Sequence, residues 1–379
     1  MRQNIVIDNK KEGDLIMELE KRSDIKAERI KRLLALPDLS RTKGSPLEAL
    51  TDKVLQISEF DDFDVIQIPE IIPTGILFDL FDFAKDHPAR SESDTYYVDS
   101  KNVLRTHDTV MWYYYLNNPE IKEKISKNEE FGVFCYGKVY RKDAVDRHHM
   151  NVFHQMGGLY LVPDNKKELT IDDLKNALTL IVQSLFGKDI KFRFNVDTFP
   201  YTDPSLEVEI DINGKWIEVL GGGMPKKIVL KNFGVTGYNG WAFGFGLERL
   251  AIVKMEIPDI RIFWSNDSRI TSQLKDLNNK YKEVSKYPET SRDISFVIDK
   301  NINLNNYYEI VRDFAENLIE EVKLVDEFED DAKFGKDKKS YTFRIIYRSP
   351  ERTLTSEEIN KIQEEIRNKT AQDLNAVLR

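Results

Sequence analysis

The sequence predicts an α+β fold, in which an antiparallel sheet flanked by helices is followed by a small ferredoxin-like domain. Between about residues 65 and 264, short apolar strands are broken by glycine and proline, with few regular β-α-β crossovers. This pattern is typical of an antiparallel sheet packed against helices. After about residue 287 the pattern restarts in the order β-α-β-β-α-β, which is the split ferredoxin-like unit.

We expect four parts along the chain. They are an N-terminal helical segment over residues 1–60, a main domain over 61–265, a linker over 266–286 and the ferredoxin-like domain over 287–379. In the first part, "RSDIKAERIKRLLALPDLSR" places apolar residues near one face of a helix that stops at Pro37. In the last part, a capping box from Thr355 to Glu358 opens the second helix.

Three further elements of the main domain follow from local signals. "FGVFCYGKVYRKD" and "FHQMGGLYLV" read as strands separated by a polar loop. "LTIDDLKNALTLIVQSLFG" predicts an amphipathic helix that ends at Gly187. "VEIDINGKWIEVLGGGM" predicts a hairpin that turns at Asn213-Gly214.

Composition limits the class of protein. The chain has 379 residues, of which 41% are hydrophobic and 32% charged, with a net charge of −9, so no protein-wide basic field attracts nucleic acid. One cysteine, Cys135, excludes a disulfide framework and a thiolate metal cluster. The acidic start is unlike a transit peptide, and no run of about 18 apolar residues predicts a membrane span. We therefore expect a cytoplasmic protein without membrane association.

Three histidines stand within seven residues, which raises the question of a metal site. The stretch "RHHMNVFHQMGGL" contains His148, His149 and His154. His148 and His149 point in opposite directions if the chain is extended, and no Asp or Glu completes a usual ligand spacing. The pattern therefore disfavours a histidine-bound zinc site.

The same stretch favours a nucleotide-binding surface. Side chains alternate along a strand, so Phe153, Gln155 and Gly157 share one face, and a hairpin with the preceding strand brings Arg141 beside them. A guanidinium, a flat ring and an amide suit a phosphate, a base and a polar substrate group. Gly157 fits either close approach of a ligand or a bulge, and both interpretations stay open.

A second glycine-rich segment supports this interpretation. "GWAFGFGLERLAIVKMEIPDI" runs from a strand into a helix, with Arg249 near the helix start. The N-terminal end of a helix attracts anions, and Arg249 adds a full positive charge there.

These motifs resemble a known family. "GKVYRKDAVDRHHMNVFHQMGGL" resembles motif 2 of class II aminoacyl-tRNA synthetases, and in particular that of phenylalanyl-tRNA synthetases. "GFGLERLAIVKMEIPDIR" resembles motif 3, and "DHPAR…DTYYV…LRTHDT", "FPYTDPSLEVEI" and "WIEVLGGGM" match further landmarks in order. The last domain resembles the anticodon-binding domain of this family. The fused arrangement resembles the single-chain, organelle-type enzymes.

The resemblance implies activation of phenylalanine by ATP, with Mg²⁺, and transfer of the phenylalanyl group to tRNA(Phe) by a monomeric enzyme. The ATP-binding residues that it implies are Arg141, Asp143, His149, Phe153, Glu218 and Arg249. Of these, Arg141, Arg249 and His149 are catalytic by resemblance. Arg141 would hold the α-phosphate, Phe153 would stack on adenine, and Asp143 would accept from the adenine amino group. Glu218 and Glu207 are the implied ligands of Mg²⁺.

The resemblance also implies an amino-acid pocket. Its residues are His107, Thr109, Gln155, Gly157, Phe199, Tyr201, Gly222, Ala242 and Gly244. Phe199 and Tyr201, two apart on one strand, would form aromatic walls above a floor of Ala242 and Gly244.

Three departures from the family pattern fall in this pocket. Gly157 stands where the family has an acidic residue, Asp108-Thr109 where it has Thr-Ser, and Tyr201 where it has Phe. The carboxylate that the family has at position 157 is therefore either supplied by Asp108 instead or lost from the pocket. Two alternatives stay open: a synthetase-like paralogue that adenylates another amino acid, and a non-catalytic RNA-binding module.

For tRNA, the sequence points to arginines of the last domain. Arg344 and Arg348 share a strand face, and Arg352 follows in the loop. We expect these three arginines to bind tRNA, with Tyr341 and Tyr347 against unstacked anticodon bases. Scattered surface arginines are the alternative.

Overall fold

The computed structural model describes residues 2–8, 10–142, 146–315, 318–349 and 351–379. They form two compact units, residues 1–281 and 282–379. The first unit is a helix-flanked sheet and the second a small β-α domain, so the predicted α+β class is confirmed.

Ten strands of the described chain belong to the first unit. Their bounds are β1 Asn4–Val6, β2 Asp64–Gln67, β3 Ile71–Pro73, β4 Asn102–Leu104, β5 Phe131–Tyr140, β6 Val152–Pro163, β7 Phe192–Phe199, β8 Thr202–Ile212, β9 Lys215–Pro225 and β10 Tyr238–Gly246. Within the described residues, eight of them form one sheet in the order β1-β2-β5-β6-β10-β9-β8-β7, and β3 pairs with β4. All neighbours from β5 to β7 in this order are antiparallel.

The exception is one edge of the sheet, where β1-β2 and β2-β5 are parallel. The sequence predicted only helices for the first 60 residues, and β1 is the element that it missed. A three-residue strand carries little local signal, and β1 forms by pairing with β2, from which about 60 residues separate it.

Helices cover both faces of this sheet. Their bounds are α1 Lys10–Glu20, α2 Ile25–Leu34, α3 Pro46–Leu55, α4 Met111–Leu116, α5 Pro119–Ser126, α6 Ile171–Phe186, α7 Lys227–Asn232, α8 Leu247–Met255 and α9 Ser268–Thr271. Leu50, Leu178 and Leu250, from α3, α6 and α8, share one buried cluster with β8 and β10, whereas Trp112 and Tyr115 of α4 belong to a second cluster with β5. Burial on both faces explains why β5 is apolar along almost its whole length.

Local chemistry sets the ends of these elements. A complete capping box of Thr170 and Asp173 opens α6, and Gly187, with φ of 94°, ends it as predicted. The β8–β9 hairpin turns at Asn213 and Gly214, with φ of 54° and 81°, which confirms the predicted turn.

The second unit has the predicted β-α-β-β-α-β order, with one short extra helix. Its elements are β11 Thr290–Asp299, α10 Asn305–Ala315, β12 Ile319–Phe328, α11 Asp331–Phe334, β13 Lys338–Tyr347, α12 Ser356–Asp373 and β14 Val377–Leu378. Its sheet order is β12-β13-β11-β14, with antiparallel neighbours. The Thr355 side chain accepts from the Glu358 N–H and opens α12. No helix in the described part of the chain is long and apolar enough to cross a membrane.

Candidate active site

A cavity of about 380 Å³ opens on the first unit where β6, β9 and β10 lie side by side. Glycines 221–223 of β9 and Gly244 and Gly246 of β10 line it, so little side-chain bulk stands between the strands and the cavity. The exposed side of the cavity, which we call the rim, carries His148, His149, Glu218 and Arg249. The opposite side, which we call the buried end, carries His107, Asp108, Thr109, Tyr201, Ala242 and Gly244.

Arg141 and Phe153 also line the cavity, and both are half-buried. The β5–β6 hairpin pairs Val139 with Phe153 and ends with the pair of Tyr140 and Val152, and Arg141 follows directly after that last pair. Its guanidinium carbon is 5.2 Å from the Phe153 ring centroid, and its Nε donates to the Thr106 carbonyl at 2.8 Å. The predicted juxtaposition of Arg141 and Phe153 is confirmed, and this pair offers a positive charge and a ring face to a ligand.

The rim holds an exposed ion pair. Arg249 lies in the first turn of α8, and its Nη1 is 3.2 Å from Oε2 of Glu218 on β9. Both side chains are about 50% exposed. An ion pair in contact with water contributes little to stability, so a phosphate can replace Glu218 as the partner of Arg249 at low cost.

The three clustered histidines have different roles. His154 is fully buried; its Nδ1 is 2.6 Å from Glu248 Oε1, and its Nε2 accepts from the Leu39 N–H at 2.9 Å. His154 therefore joins β6 to α8 and to the N-terminal segment.

The segment that carries His148 and His149 is not extended, so the condition under which the two side chains would point in opposite directions is not met. Their segment curves around Asp146, which accepts from both backbone N–H groups and lies 2.8 Å from the His149 Nδ1. Both histidines therefore line the cavity, and His148 is a lining residue that the sequence did not single out. Asp143, the predicted adenine contact, lies outside the described residues.

Aromatic side chains enclose His107 at the buried end. Its ring is 5.8 Å from Phe81, 6.1 Å from Phe83 and 6.1 Å from Tyr201, between centroids. Burial and the nearby Arg141 lower the pKa of His107 to about 3, so the ring is neutral at physiological pH. Neither of its ring nitrogens has a hydrogen-bond partner among the described residues.

The predicted aromatic wall forms, but not on one strand. Phe199 ends β7 and Tyr201 lies in the turn that precedes β8. The rings stack at 6.1 Å with an interplanar angle of 12° because the tight turn returns the chain beside itself. Burial raises the pKa of the Tyr201 hydroxyl, and the neighbouring Thr109 side chain opposes this shift.

Backbone approach explains the small residues of the floor. A Cβ on Gly222 would lie 2.7 Å from the Ala242 carbonyl oxygen, so β9 and β10 leave no space for a side chain there. Gly244 pairs with Gly157 across β10 and β6. Ala242 is 5% exposed and lines the cavity.

Gly157 is the one predicted pocket residue that does not line the cavity. It is regularly paired with Cys135 and Gly244, so no bulge is present. A Cβ on Gly157 would lie 2.3 Å from Oδ2 of Asp108, which means that the Asp108 carboxylate covers this glycine. Asp108 is the functional candidate that our site prediction omitted, although its exchange with the family pattern was visible in the sequence.

Few carboxylates in this part of the described chain are placed to hold a cation. Within the described residues no group of three His, Cys, Asp or Glu side chains is arranged to hold a metal ion. Glu207 does not line the cavity and accepts from Asn195 Nδ2 at 3.1 Å. Glu218 does line it, and one or two carboxylates with substrate phosphates are the usual surroundings of Mg²⁺. The residues present therefore fit a cation held by Glu218 and phosphates, but not by Glu207.

In the second unit, all three predicted tRNA-binding arginines pair with carboxylates. Arg344 is exposed and binds Asp293 through two hydrogen bonds of 2.7 and 2.8 Å, and Arg352 binds Glu358 at 2.6 Å. Arg348 is only 13% exposed and contacts Glu289, Glu320 and the Tyr287 carbonyl. Arg348 is thus engaged within the second unit, whereas the ion pairs of Arg344 and Arg352 are exposed to water.

The expectation for the two tyrosines is wrong. Tyr341 and Tyr347 are 8% and 0% exposed and pack in the core of the second unit, where the Tyr347 hydroxyl donates to Gln363 at 2.7 Å. Alternation along β13 places them opposite Arg344, on the face that the helices cover.

Both units of the chain are similar to known protein families. Residues 33–274 match the family described as tRNA synthetases class II core domain (F), and residues 285–379 match the ferredoxin-fold anticodon binding domain. The phenylalanine--tRNA ligase, chloroplastic/mitochondrial, of Arabidopsis thaliana is 40% identical over 85% of this chain and 74% of its own length. The mitochondrial phenylalanine--tRNA ligase of Mus musculus is 35% identical over 81% and 73%.

A bacterial relative covers less of this chain. The phenylalanine--tRNA ligase alpha subunit of Malacoplasma penetrans is 34% identical over 61% of this chain and 69% of its own length. The expected cytoplasmic location is contradicted, because the Arabidopsis and mouse relatives are named as chloroplastic/mitochondrial and mitochondrial proteins. The motifs predicted the family correctly: the chain belongs to the class II tRNA synthetases, with a core domain of type F followed by a ferredoxin-fold anticodon-binding domain.

Proposed function

We propose that this chain activates phenylalanine with ATP and transfers the phenylalanyl group to the 3′-terminal ribose of tRNA(Phe). The observation that carries the proposal is a single cavity that combines Arg249 at the rim, Arg141 over Phe153, and the stacked rings of Phe199 and Tyr201. The relatives named above as phenylalanine--tRNA ligases support phenylalanine as the substrate.

The charges of the cavity suit adenylate formation. In this reaction a carboxylate oxygen of phenylalanine attacks the α-phosphorus of ATP, and the bond to the bridging oxygen breaks as pyrophosphate leaves. Arg141 lines the cavity over the Phe153 ring, where it neutralises charge on the α-phosphate as the carboxylate approaches. Phe153 provides a stacking face for adenine, and Arg249 and His149 contact the outgoing phosphates. Asp143 remains a proposed adenine contact.

Mg²⁺ would neutralise part of the phosphate charge, and Glu218 is the rim carboxylate that would hold it. Arg249 would then bind phosphate and Glu218 the cation, in place of their contact with each other.

The buried end suits the amino acid. Phe199 and Tyr201 form the aromatic wall, and Ala242 with Gly244 leaves space for a phenyl ring. Gln155 also lines the cavity, and its Oε1 accepts from the Asp108 N–H at 3.1 Å, which orients the amide toward the substrate. Thr109 and Gly222 complete the pocket.

For the transfer step we propose a division of labour between domains. Residues 61–265 carry catalysis, residues 1–60 and 266–286 flank them, and residues 287–379 bind the anticodon of tRNA(Phe), in a monomeric enzyme. Arg344 and Arg352 are the exposed candidates, because their ion pairs can exchange for phosphates at low cost. Arg348 is the weaker candidate, since most of its donors are already engaged.

The test is ATP–pyrophosphate exchange with each of the twenty amino acids, followed by charging of tRNA(Phe). We expect exchange with phenylalanine alone, and a loss of about 10²- to 10³-fold in kcat/KM for Arg141→Ala, because a donor to developing charge is removed. Arg29→Ala, on the exposed face of α2, is the matched control and should behave as wild type. Exchange with a different amino acid would overturn the substrate, and no exchange with any would overturn the reaction.

A further inference from the structure

We infer that Asp108 is the residue that binds the α-ammonium group of the amino-acid substrate, and that Asp108 and Gly157 form a coupled pair in which only one position can carry the carboxylate. The inference rests on the proposed function, since it concerns how the same cavity recognises its amino acid.

The position of Asp108 is well defined. It begins a 3₁₀-helix, Asp108–Val110, and its backbone N–H donates to Oε1 of Gln155 at 3.1 Å. Its carboxylate lies over the Gly157–Gly244 pair, because a Cβ on Gly157 would be 2.3 Å from Oδ2 and a Cβ on Gly244 would be 3.5 Å from Oδ1. Both strands therefore have glycine where this carboxylate packs against them.

Its hydrogen bonding is incomplete without a ligand. Asp108 is 4% exposed, and Oδ2 has no hydrogen-bond partner in the described part of the chain. Both ring nitrogens of the adjacent His107 also lack a hydrogen-bond partner among the described residues. Two consecutive residues that line the cavity thus carry three buried polar atoms without a partner in the described part of the chain. A buried carboxylate oxygen without a donor is costly, and clusters of such atoms are uncommon in folded proteins.

A substrate ammonium group meets this requirement. An –NH₃⁺ group has three donors and a full positive charge, which suits an ionised oxygen in a dry pocket. In the proposed reaction the substrate carboxylate approaches Arg141 and its ring approaches Phe199 and Tyr201. The ammonium group is attached to the α-carbon, which also carries the carboxylate and the CH₂ group that leads to the ring, so it falls in the space that Asp108 and Gln155 line.

The geometry also makes the two positions exclusive. A Cβ at residue 157 would lie 2.3 Å from Asp108 Oδ2 and 2.9 Å from the Phe243 carbonyl oxygen, so a side chain there requires both removal of the Asp108 carboxylate and a small shift of β10. A carboxylate can therefore reach this space from residue 108 or from residue 157, but not from both. Replacing Asp108 by an uncharged residue while placing a glutamate at position 157 should restore the anion, whereas either change alone should damage the site.

The experiment measures how strongly the enzyme prefers phenylalanine to 3-phenylpropanoate, which lacks only the amine. Wild type, Asp108→Asn, Gly157→Glu and the double variant Asp108→Thr/Gly157→Glu are compared by the KM of phenylalanine and the inhibition constant of 3-phenylpropanoate in pyrophosphate exchange. Asp189→Asn, in an exposed loop, is the control for loss of one carboxylate.

We expect Asp108→Asn to raise the KM of phenylalanine by about 10- to 100-fold, because a hydrogen bond to a charged group is lost. The inhibition constant of 3-phenylpropanoate should stay nearly unchanged, because this compound has no ammonium group. The double variant should regain most of the preference, and Gly157→Glu alone should not. Unchanged preference in a folded Asp108→Asn enzyme would overturn the inference while leaving the proposed function intact. If wild type uses another amino acid, the same comparison with its desamino analogue decides the role of Asp108. No exchange with any amino acid would overturn both.

Discussion

The charged groups at the rim of the cavity are exposed to water, whereas those at the buried end are almost completely covered by protein. At the rim, Arg249 and Glu218 pair at 3.2 Å with half of each side chain in water. At the buried end, His107 and Asp108 are 8% and 4% exposed and carry polar atoms without partners among the described residues. Water surrounds the rim charges whether or not a ligand is bound, whereas protein atoms cover most of the surface of His107 and Asp108 at the buried end. Substitutions at the buried end must therefore be compensated by other residues, and the Asp108–Gly157 pair is such a compensation.

Filling the buried end should have the largest of the following effects. Ala242→Val adds two methyl groups to the floor where the substrate ring packs, and overpacking of this size costs about 1–3 kcal/mol. We expect the KM of phenylalanine to rise by about 10- to 100-fold, which is the same free energy expressed as affinity. Steady-state exchange kinetics measure this change. A comparable rise in the KM of ATP would contradict the separation of the two parts of the cavity.

The buried end should also respond to pH. Burial raises the pKa of Asp108 from 3.8 to about 7, although nearby positive charges oppose this shift. The titratable groups that face Asp108 are Arg105, Arg141, His107, Cys135 and Tyr201. Only the ionised carboxylate attracts an ammonium group, so lowering the pH from 8 to 6 should raise the KM of phenylalanine about tenfold. His107, with its pKa lowered to about 3, stays neutral over this range.

The control for this pH effect is Asp108→Asn, whose KM should be high and independent of pH between 6 and 8. A rise in pH should strengthen the binding of phenylalanine but lower the stability of the protein without substrate. Because the folded-state pKa lies above the ordinary value, the protein without substrate should lose stability as the pH rises through 7. Thermal unfolding of wild type and variant distinguishes the two effects, and a pH-dependent variant would assign the titration to another group.

At the rim we expect the smallest effect. Glu218→Gln removes one partner of an exposed ion pair, which should change the free energy of unfolding by less than about 1 kcal/mol. The same change should raise the Mg²⁺ concentration for half-maximal exchange severalfold, because a proposed ligand is lost. Glu209→Gln is the matched control, since Glu209 pairs with Arg193 and does not line the cavity. Equal effects of both substitutions on the Mg²⁺ requirement would show that Glu218 is not a ligand of the cation.

Much of the architecture followed from local sequence signals. Asn213-Gly214 and Gly187 predicted a turn and a helix end because glycine and asparagine tolerate positive φ, and the structure has both. The strand alternation of β6 predicted that Arg141 lies beside Phe153. By contrast, β1 was missed, and Tyr341 and Tyr347 were expected at a surface although they are buried. Alternation gives the two faces of a strand but not which of them the helices cover.

The sequence by itself determined the family, the two-part α+β fold and the residues around the proposed nucleotide-binding part of the cavity, because these depend on short-range periodicity and ordered motifs. Only the tertiary structure decided why residue 157 is glycine. The carboxylate that occupies its space comes from Asp108, on a different element and 49 residues earlier in the chain. Exclusion between two side chains is a property of packing across elements, and no local pattern records it.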